Sequence, residues 1–157
     1  MAVDAHTVLE AFDPALFLPE LSSSDKDGVL FELASGVAAC GLVRDTRPLL
    51  EMLKSRERLG STGIGHGIAV PHGRSLAVPR LVAGFGRHAE GVAWGAVDGK
   101  PVHLVFLILA PPLEQPNLYL PFLGRIVESV HDPDRRASLG RVRTFEEFRE
   151  VLRDALS

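Results

Sequence analysis

The chain has 157 residues, 46% of them apolar and 24% charged, with a formal net charge of −3. That length suits one domain able to bury a substantial core, and the balance excludes a disordered chain and a basic field for gripping nucleic acid. Leu104 to Leu113, the longest apolar stretch, is too short for the roughly 20 residues a membrane-spanning helix needs, so no direct membrane insertion is expected.

The opening Met-Ala-Val-Asp-Ala-His lacks a basic region followed by an apolar one, so no secretory signal is readable and a cytoplasmic location is expected. The first twenty residues carry Asp13-Pro14 and Leu18-Pro19, which read as punctuation rather than regular structure. Residues 1–20 are therefore set apart as an N-terminal extension and 21–157 as the domain. Ser22-Ser-Ser-Asp25 supplies capping oxygens for a helix with Val29, Leu30, Leu33, Val37 and Ala38 on its apolar face, ended by Gly41. Cys40, the single cysteine, lies in this apolar run and reads as a small core hydrophobe. Thr46 is expected to cap a second helix through Leu49, Leu50, Met52 and Leu53.

Next comes Gly60-Ser-Thr-Gly-Ile-Gly-His-Gly67, where so many glycines oppose helix formation. Short strands follow at Ile68-Ala-Val70, Leu81–Phe85 and Gly91–Trp94. Val102–Leu109 is apolar except for His103, as in a strand buried on both faces. Helical spacing returns at Leu120, Leu123, Ile126, Val127 and Val130, closed by Asp132-Pro133. Arg135, Arg136, Arg141 and Arg143 form a thin basic run that reads as a solvated face. Thr144-Phe-Glu-Glu147 is a capping box opening a last helix with Phe145, Phe148, Val151 and Leu152 as its apolar stripe. Helices at both ends around central strands imply an α/β fold, one domain with a mixed sheet flanked by helices on both faces.

Chemistry concentrates in Arg56 to Arg74, RERLGSTGIGHGIAVPHGR. The glycines at 63, 65 and 67 allow backbone N–H groups to approach an anion. No Gly-Lys-Ser/Thr follows them, which excludes a P-loop, and the following Ile-Ala-Val strand excludes the dinucleotide fingerprint. Pro71-His72-Gly73 ends that strand and holds an imidazole near the surface. This position suits a nucleophile, although an ordinary surface histidine would look the same.

The segment resembles the signature of type-2 enzyme IIA domains of the sugar phosphotransferase system (the fructose/mannitol class, with the nitrogen-regulatory IIA proteins). Arg56-Glu57, Ser61-Thr-Gly-Ile-Gly65 and Gly67-Ile-Ala-Val-Pro-His72 stand in that family's order and spacing. Asp25-Lys26, Gly91–Trp94, Asp98-Gly99 and Thr144–Glu147 extend the likeness over the chain beyond residue 20. The resemblance implies that His72 accepts a phosphoryl group from the histidine phosphocarrier protein and passes it to a cysteine of an enzyme IIB. Arg56 is implied to neutralise phosphoryl charge, with Ser61, Thr62, Gly63 and Gly65 as supporting donors and no metal or cofactor required.

One position departs from the pattern. The family's second histidine, at the start of a His-Leu-x-x-Leu motif, falls on Tyr119 in Tyr119-Leu120-Pro-Phe-Leu123. Tyr119 reads either as a hydrogen-bonding support for the phosphoryl group or as an aromatic covering the core edge. Its presence raises an alternative function: a regulatory module of the same fold, bound to a target protein, with weak or no transfer. Of the other histidines, His103 reads as a sheet-face residue, His6 and His88 as exposed, and none has metal-ligand spacing.

Overall fold

The computed structural model describes residues 3–113 and 117–157. Met1 and Ala2, which open the N-terminal reading, lie outside them. The chain runs α1 (Ala5–Ala11), β1 (Phe12–Leu18), α2 (Lys26–Ala39), α3 (Thr46–Leu59), β2 (Gly63–Gly65), β3 (Ile68–Ala69) and β4 (His72–Arg74). It continues through β5 (Val82–Val92), β6 (Val102–Ala110), α4 (Tyr119–Ser129), α5 (Pro133–Leu139) and α6 (Phe145–Leu156).

β6 is the axis of the molecule. Its apolar run allows burial on both faces, and strand alternation sends its side chains to two separate cores. Leu104, Phe106, Ile108 and Ala110 pack with α1, α4, α5 and α6. Val105, Leu107 and Leu109 pack with α2 and α3 on the opposite face. The strand order is β1-β5-β6-β3-β2, with β4 also pairing with β6. β5 is antiparallel to β6 and β2 to β3, while β1 pairs in parallel with β5 and both β3 and β4 pair in parallel with β6, so the sheet is mixed as expected.

Several elements differ from the sequence reading. The first twenty residues are not irregular: α1 packs into the core and β1 forms the sheet edge beside β5, with Pro14 tolerated where a strand needs fewer N–H donors. Leu81–Phe85 and Gly91–Trp94 are not separate strands, because pairing with β6 carries β5 through the polar Arg87-His88 stretch to Val92, with a register shift between. Gly91 takes φ +89° in that shift, a conformation glycine adopts without strain. Asp45, not Thr46, caps α3, its carboxylate accepting from the Arg47 N–H. Asp132 likewise caps an additional helix, α5, that opens at Pro133. His88 is buried rather than exposed: its Nε2–H donates to the Ser23 carbonyl at 2.9 Å, and its Nδ1 accepts from the Gly91 N–H. The Thr144 capping box is present with both of its hydrogen bonds.

Among the described residues, no helix is long and apolar enough to cross a membrane.

Candidate active site

The site forms where β3 gives way to β4. β3 pairs in parallel with β6 at Leu104 and Val105, and β4 resumes the pairing at Ile108. Pro71 lies between them; it lacks the N–H a continuous ladder needs, but its carbonyl still accepts from the Ile108 N–H at 3.1 Å. The strand is thus interrupted rather than ended at Pro-His-Gly, and His72 sits half-buried near the carboxyl end of β6. Its Nδ1 lies 2.6 Å from the Val70 carbonyl oxygen. A carbonyl can only accept, so Nδ1 carries the proton and Nε2 keeps the lone pair. Burial, with the Arg56 charge acting in the same direction, pushes the His72 pKa below the ordinary histidine value of 6.5; the bond to Val70 and the Glu57 charge oppose this. The ring is therefore neutral at pH 7.

Arg56 and Glu57 are successive residues of α3 and have different surroundings. Arg56 donates from Nη1 to the Gly60 carbonyl at 2.8 Å, and its charge is felt at both His72 and Tyr119. Glu57 is buried, with its carboxylate 3.3 Å from the Lys26 ammonium and accepting from both the Thr62 N–H and the Thr62 hydroxyl. The Trp94 indole N–H donates to that same hydroxyl oxygen at 3.3 Å, and Lys26 also donates to the Trp94 carbonyl. Thr62 is thereby occupied as an interior strut, and neither of its donors faces His72. We expect Glu57→Ala to destabilise the fold by about 3 kcal/mol, because it strands a partly buried ammonium and two Thr62 donors. A urea unfolding midpoint equal to that of the parent chain would contradict this.

The glycine segment is a hairpin rather than a cradle around the imidazole. Gly63 pairs with Ala69 and Gly65 with Ile68. A Cβ on Gly63 would lie 2.7 Å from the Ala96 Cβ, so close packing accounts for that glycine. Gly65 has φ +96° at the turn. Ile68, its partner, is four residues before His72, about 13 Å away along the strand. His66 shares that distant turn. The Val70 N–H donates to the Thr62 carbonyl just before β2 begins. Ser61 is half-buried, and its Oγ accepts from the Gly63 N–H at 3.0 Å, leaving its O–H to donate.

Tyr119 opens α4 and is buried, its ring centroid 6.1 Å from that of His72. Burial raises its pKa above the ordinary 10.0, so the phenol stays neutral at pH 7. The residue on which the resemblance would place a second histidine thus stands beside His72. Sequence reasoning assigned no role to Arg74, which the structure places at the same site. Its Cζ lies 4.5 Å from the Tyr119 ring centroid. It donates from Nη1 to the Pro111 carbonyl at 2.9 Å and from Nη2 to the Asn117 Oδ1 at 3.0 Å. Strand alternation was the available signal, because residues 72 and 74 of an extended segment share a face. Among the described residues neither Arg56 nor Arg74 is paired with a carboxylate. No group of three or more His, Cys, Asp or Glu among them could hold a metal ion.

A neutral imidazole with its Nδ1 bound to a backbone carbonyl thus lies on a mixed α/β sheet, near guanidinium groups that have no carboxylate partner among the described residues. The chain belongs to the family described as phosphoenolpyruvate-dependent sugar phosphotransferase system, EIIA 2, whose profile matches residues 10–155. It is 34% identical over 139 residues to a nitrogen regulatory protein of Bradyrhizobium diazoefficiens, covering 88% of this chain and 90% of that one. The crystal structure of nitrogen regulatory protein IIA-Ntr from Neisseria meningitidis superposes with a TM-score of 0.83 at 30% identity, covering 92% of this chain and 98% of that chain. The Escherichia coli complex of enzyme IIA-mannitol with phosphorylated enzyme IIB-mannitol matches with a TM-score of 0.74 at 20% identity, covering 90% and 97%, which speaks to the fold alone.

Proposed function

We propose that this protein is a cytoplasmic phosphoryl carrier of the phosphotransferase system, with Nε2 of His72 as the acceptor atom. The observation that carries the reading is the bond from Nδ1–H to the Val70 carbonyl, which leaves the lone pair on Nε2. That lone pair attacks the phosphorus of the phosphohistidine on the histidine phosphocarrier protein. An Nε2–P bond forms as the donor's N–P bond breaks, and the electron pair of the broken bond returns to the donor ring. The positive charge gained by the His72 ring is stabilised by the Val70 carbonyl, and Arg56 balances charge on the phosphoryl oxygens. A cysteine thiolate of an enzyme IIB then attacks the same phosphorus, and the Nε2–P electron pair returns to His72. The mannitol enzyme IIA of Escherichia coli forms a complex with phosphorylated enzyme IIB, which supports an enzyme IIB as the kind of partner. Leu59, Leu76 and Leu120 are exposed and lie close in sequence to Arg56, Arg74 and Tyr119, offering an apolar fringe for protein partners.

Incubation with phosphoenolpyruvate, enzyme I and the histidine phosphocarrier should add one acid-labile phosphoryl group to the protein. An unchanged intact mass under conditions that phosphorylate the carrier itself would defeat the reading.

The pH dependence follows from the sign of the His72 shift. Protonation removes the nucleophilic lone pair, and a lowered pKa moves that loss to more acidic solution. The NMR titration of the His72 Cε1–H should therefore have its midpoint below about 6.5. A midpoint above 7 would contradict the role given to burial and Arg56.

We propose a regulatory module of the same fold, bound to a target protein and transferring weakly or not at all, as the second reading. Tyr119 favours it, since a neutral phenol takes the place of an imidazole, and so do the nitrogen-regulatory names of the relatives. Tyr119→His separates the two: under the carrier reading it changes the transfer rate only a few-fold, and under the regulatory reading it creates transfer that the parent lacks.

A further inference from the structure

We infer that Arg74 is a second phosphoryl-binding cation of this site and that the Tyr119 ring is the platform that holds it there; this rests on the phosphoacceptor reading of His72. β4 is extended, so His72 and Arg74 project from the same face with Cα atoms about 6.6 Å apart. The guanidinium is restrained on three sides. Pro111 accepts from Nη1 at 2.9 Å, Asn117 accepts from Nη2 at 3.0 Å, and the Tyr119 ring lies beneath Cζ at 4.5 Å. The same ring stands 6.1 Å from the His72 imidazole, so one aromatic side chain touches the surroundings of both groups.

Restraint of this kind suits ligand binding better than stability. A guanidinium has five N–H donors, and these two bonds use one each, leaving three without an acceptor among the described residues. No carboxylate among the described residues neutralises its charge. A guanidinium held by two acceptors and a ring loses little further freedom when an anion arrives. The charge of the ligand points the same way. The phosphoryl oxygens carry close to two negative charges at neutral pH and can accept from more than one guanidinium, so Arg74 adds to the charge-assisted bonds that Arg56 supplies. The Tyr119 phenol is neutral and adds no charge; its ring contributes through its face. A cation over such a face is attracted by the ring's quadrupole, and Phe would serve as well as Tyr.

A double-mutant cycle tests this. Rates and KM for accepting phosphate from the phosphorylated histidine phosphocarrier are compared for the parent, Arg74→Gln, Arg74→Lys, Tyr119→Phe, Tyr119→Leu and the Arg74→Gln/Tyr119→Leu double variant. Arg74→Gln should lower kcat by about tenfold or more with KM within about twofold, because the interaction is made with the group in transfer. Arg74→Lys should fall between the two, since it keeps the charge but loses the fork. Tyr119→Phe should match the parent; Tyr119→Leu should fall as far as Arg74→Gln, and the double variant no further than either single one. An Arg74→Gln variant as fast as the parent, or Tyr119→Phe as impaired as Tyr119→Leu, overturns the inference.

A parent chain that takes up no phosphate defeats the phosphoacceptor reading instead. The anion site is then read by titrating inorganic phosphate into the protein and following the His72 and Arg74 side-chain NMR signals. Binding weakened several-fold by Arg74→Gln supports the assignment, and equal binding rejects it. Thermal melting of each variant shows whether the fold is retained.

Discussion

Replacing His72 with Ala should abolish phosphoryl uptake, lowering it by at least about 10^3-fold with the fold intact, because no other group at the site offers a nucleophilic lone pair. Intact-mass measurement after exposure to the phosphorylated carrier protein reads this directly. The side chain is half-buried at a strand interruption, so its removal leaves both cores untouched. His103, whose Nδ1 bonds to the His88 carbonyl at 3.0 Å near the start of β6, is too far along the sheet to substitute. A His72→Ala chain that gained phosphate as the parent does would place the acceptor elsewhere.

The second large effect belongs to Arg56. Its guanidinium is anchored on the Gly60 carbonyl, and its charge reaches both His72 and Tyr119. Arg56→Gln should lower the rate of phosphoryl acceptance by about 10^2-fold, the scale expected for losing a preorganised charged donor at a reacting group. It should also raise the His72 titration midpoint, since a positive charge that disfavours protonation is gone. The two readouts together separate charge from positioning. A slower rate with an unmoved midpoint would indicate that Arg56 only shapes the loop.

The physics of periodicity made much of this fold legible. The nearly continuous apolar run Val102–Leu109, the helical period of the buried residues in α2, the amphipathic stripe of α6 and the Thr144 capping box are local signals, and each formed where its residues indicated. Elements that depend on distant partners were harder to read. β1 looked like punctuation because its pairing with β5, some seventy residues later, leaves no local trace beyond Phe12, Leu16 and Phe17. β5 looked like two strands because Arg87-His88 is polar; it continues because Ser23 and Gly91 satisfy the buried imidazole.

The candidate site divided along the same line. His72 and Tyr119 stand side by side and the Arg56 charge reaches both, whereas the Ser61 Oγ accepts from the Gly63 N–H. Thr62, Gly63 and Gly65 turn instead to the interior and to the hairpin turn. Glycine spacing alone does not distinguish an anion cradle from a tightly packed hairpin; what distinguishes them is the Ala96 contact at Gly63 and the buried Glu57 that takes up the Thr62 donors. Arg74 was visible in the sequence but silent, because its meaning depends on Tyr119, forty-five residues later.

The most direct test of the acceptor-atom assignment is NMR of the phosphorylated protein labelled with 15N-histidine. We predict phosphorus bonded to Nε2 of His72, with Nδ1 still protonated against Val70. Phosphorus on Nδ1, or on any other histidine, would contradict the account.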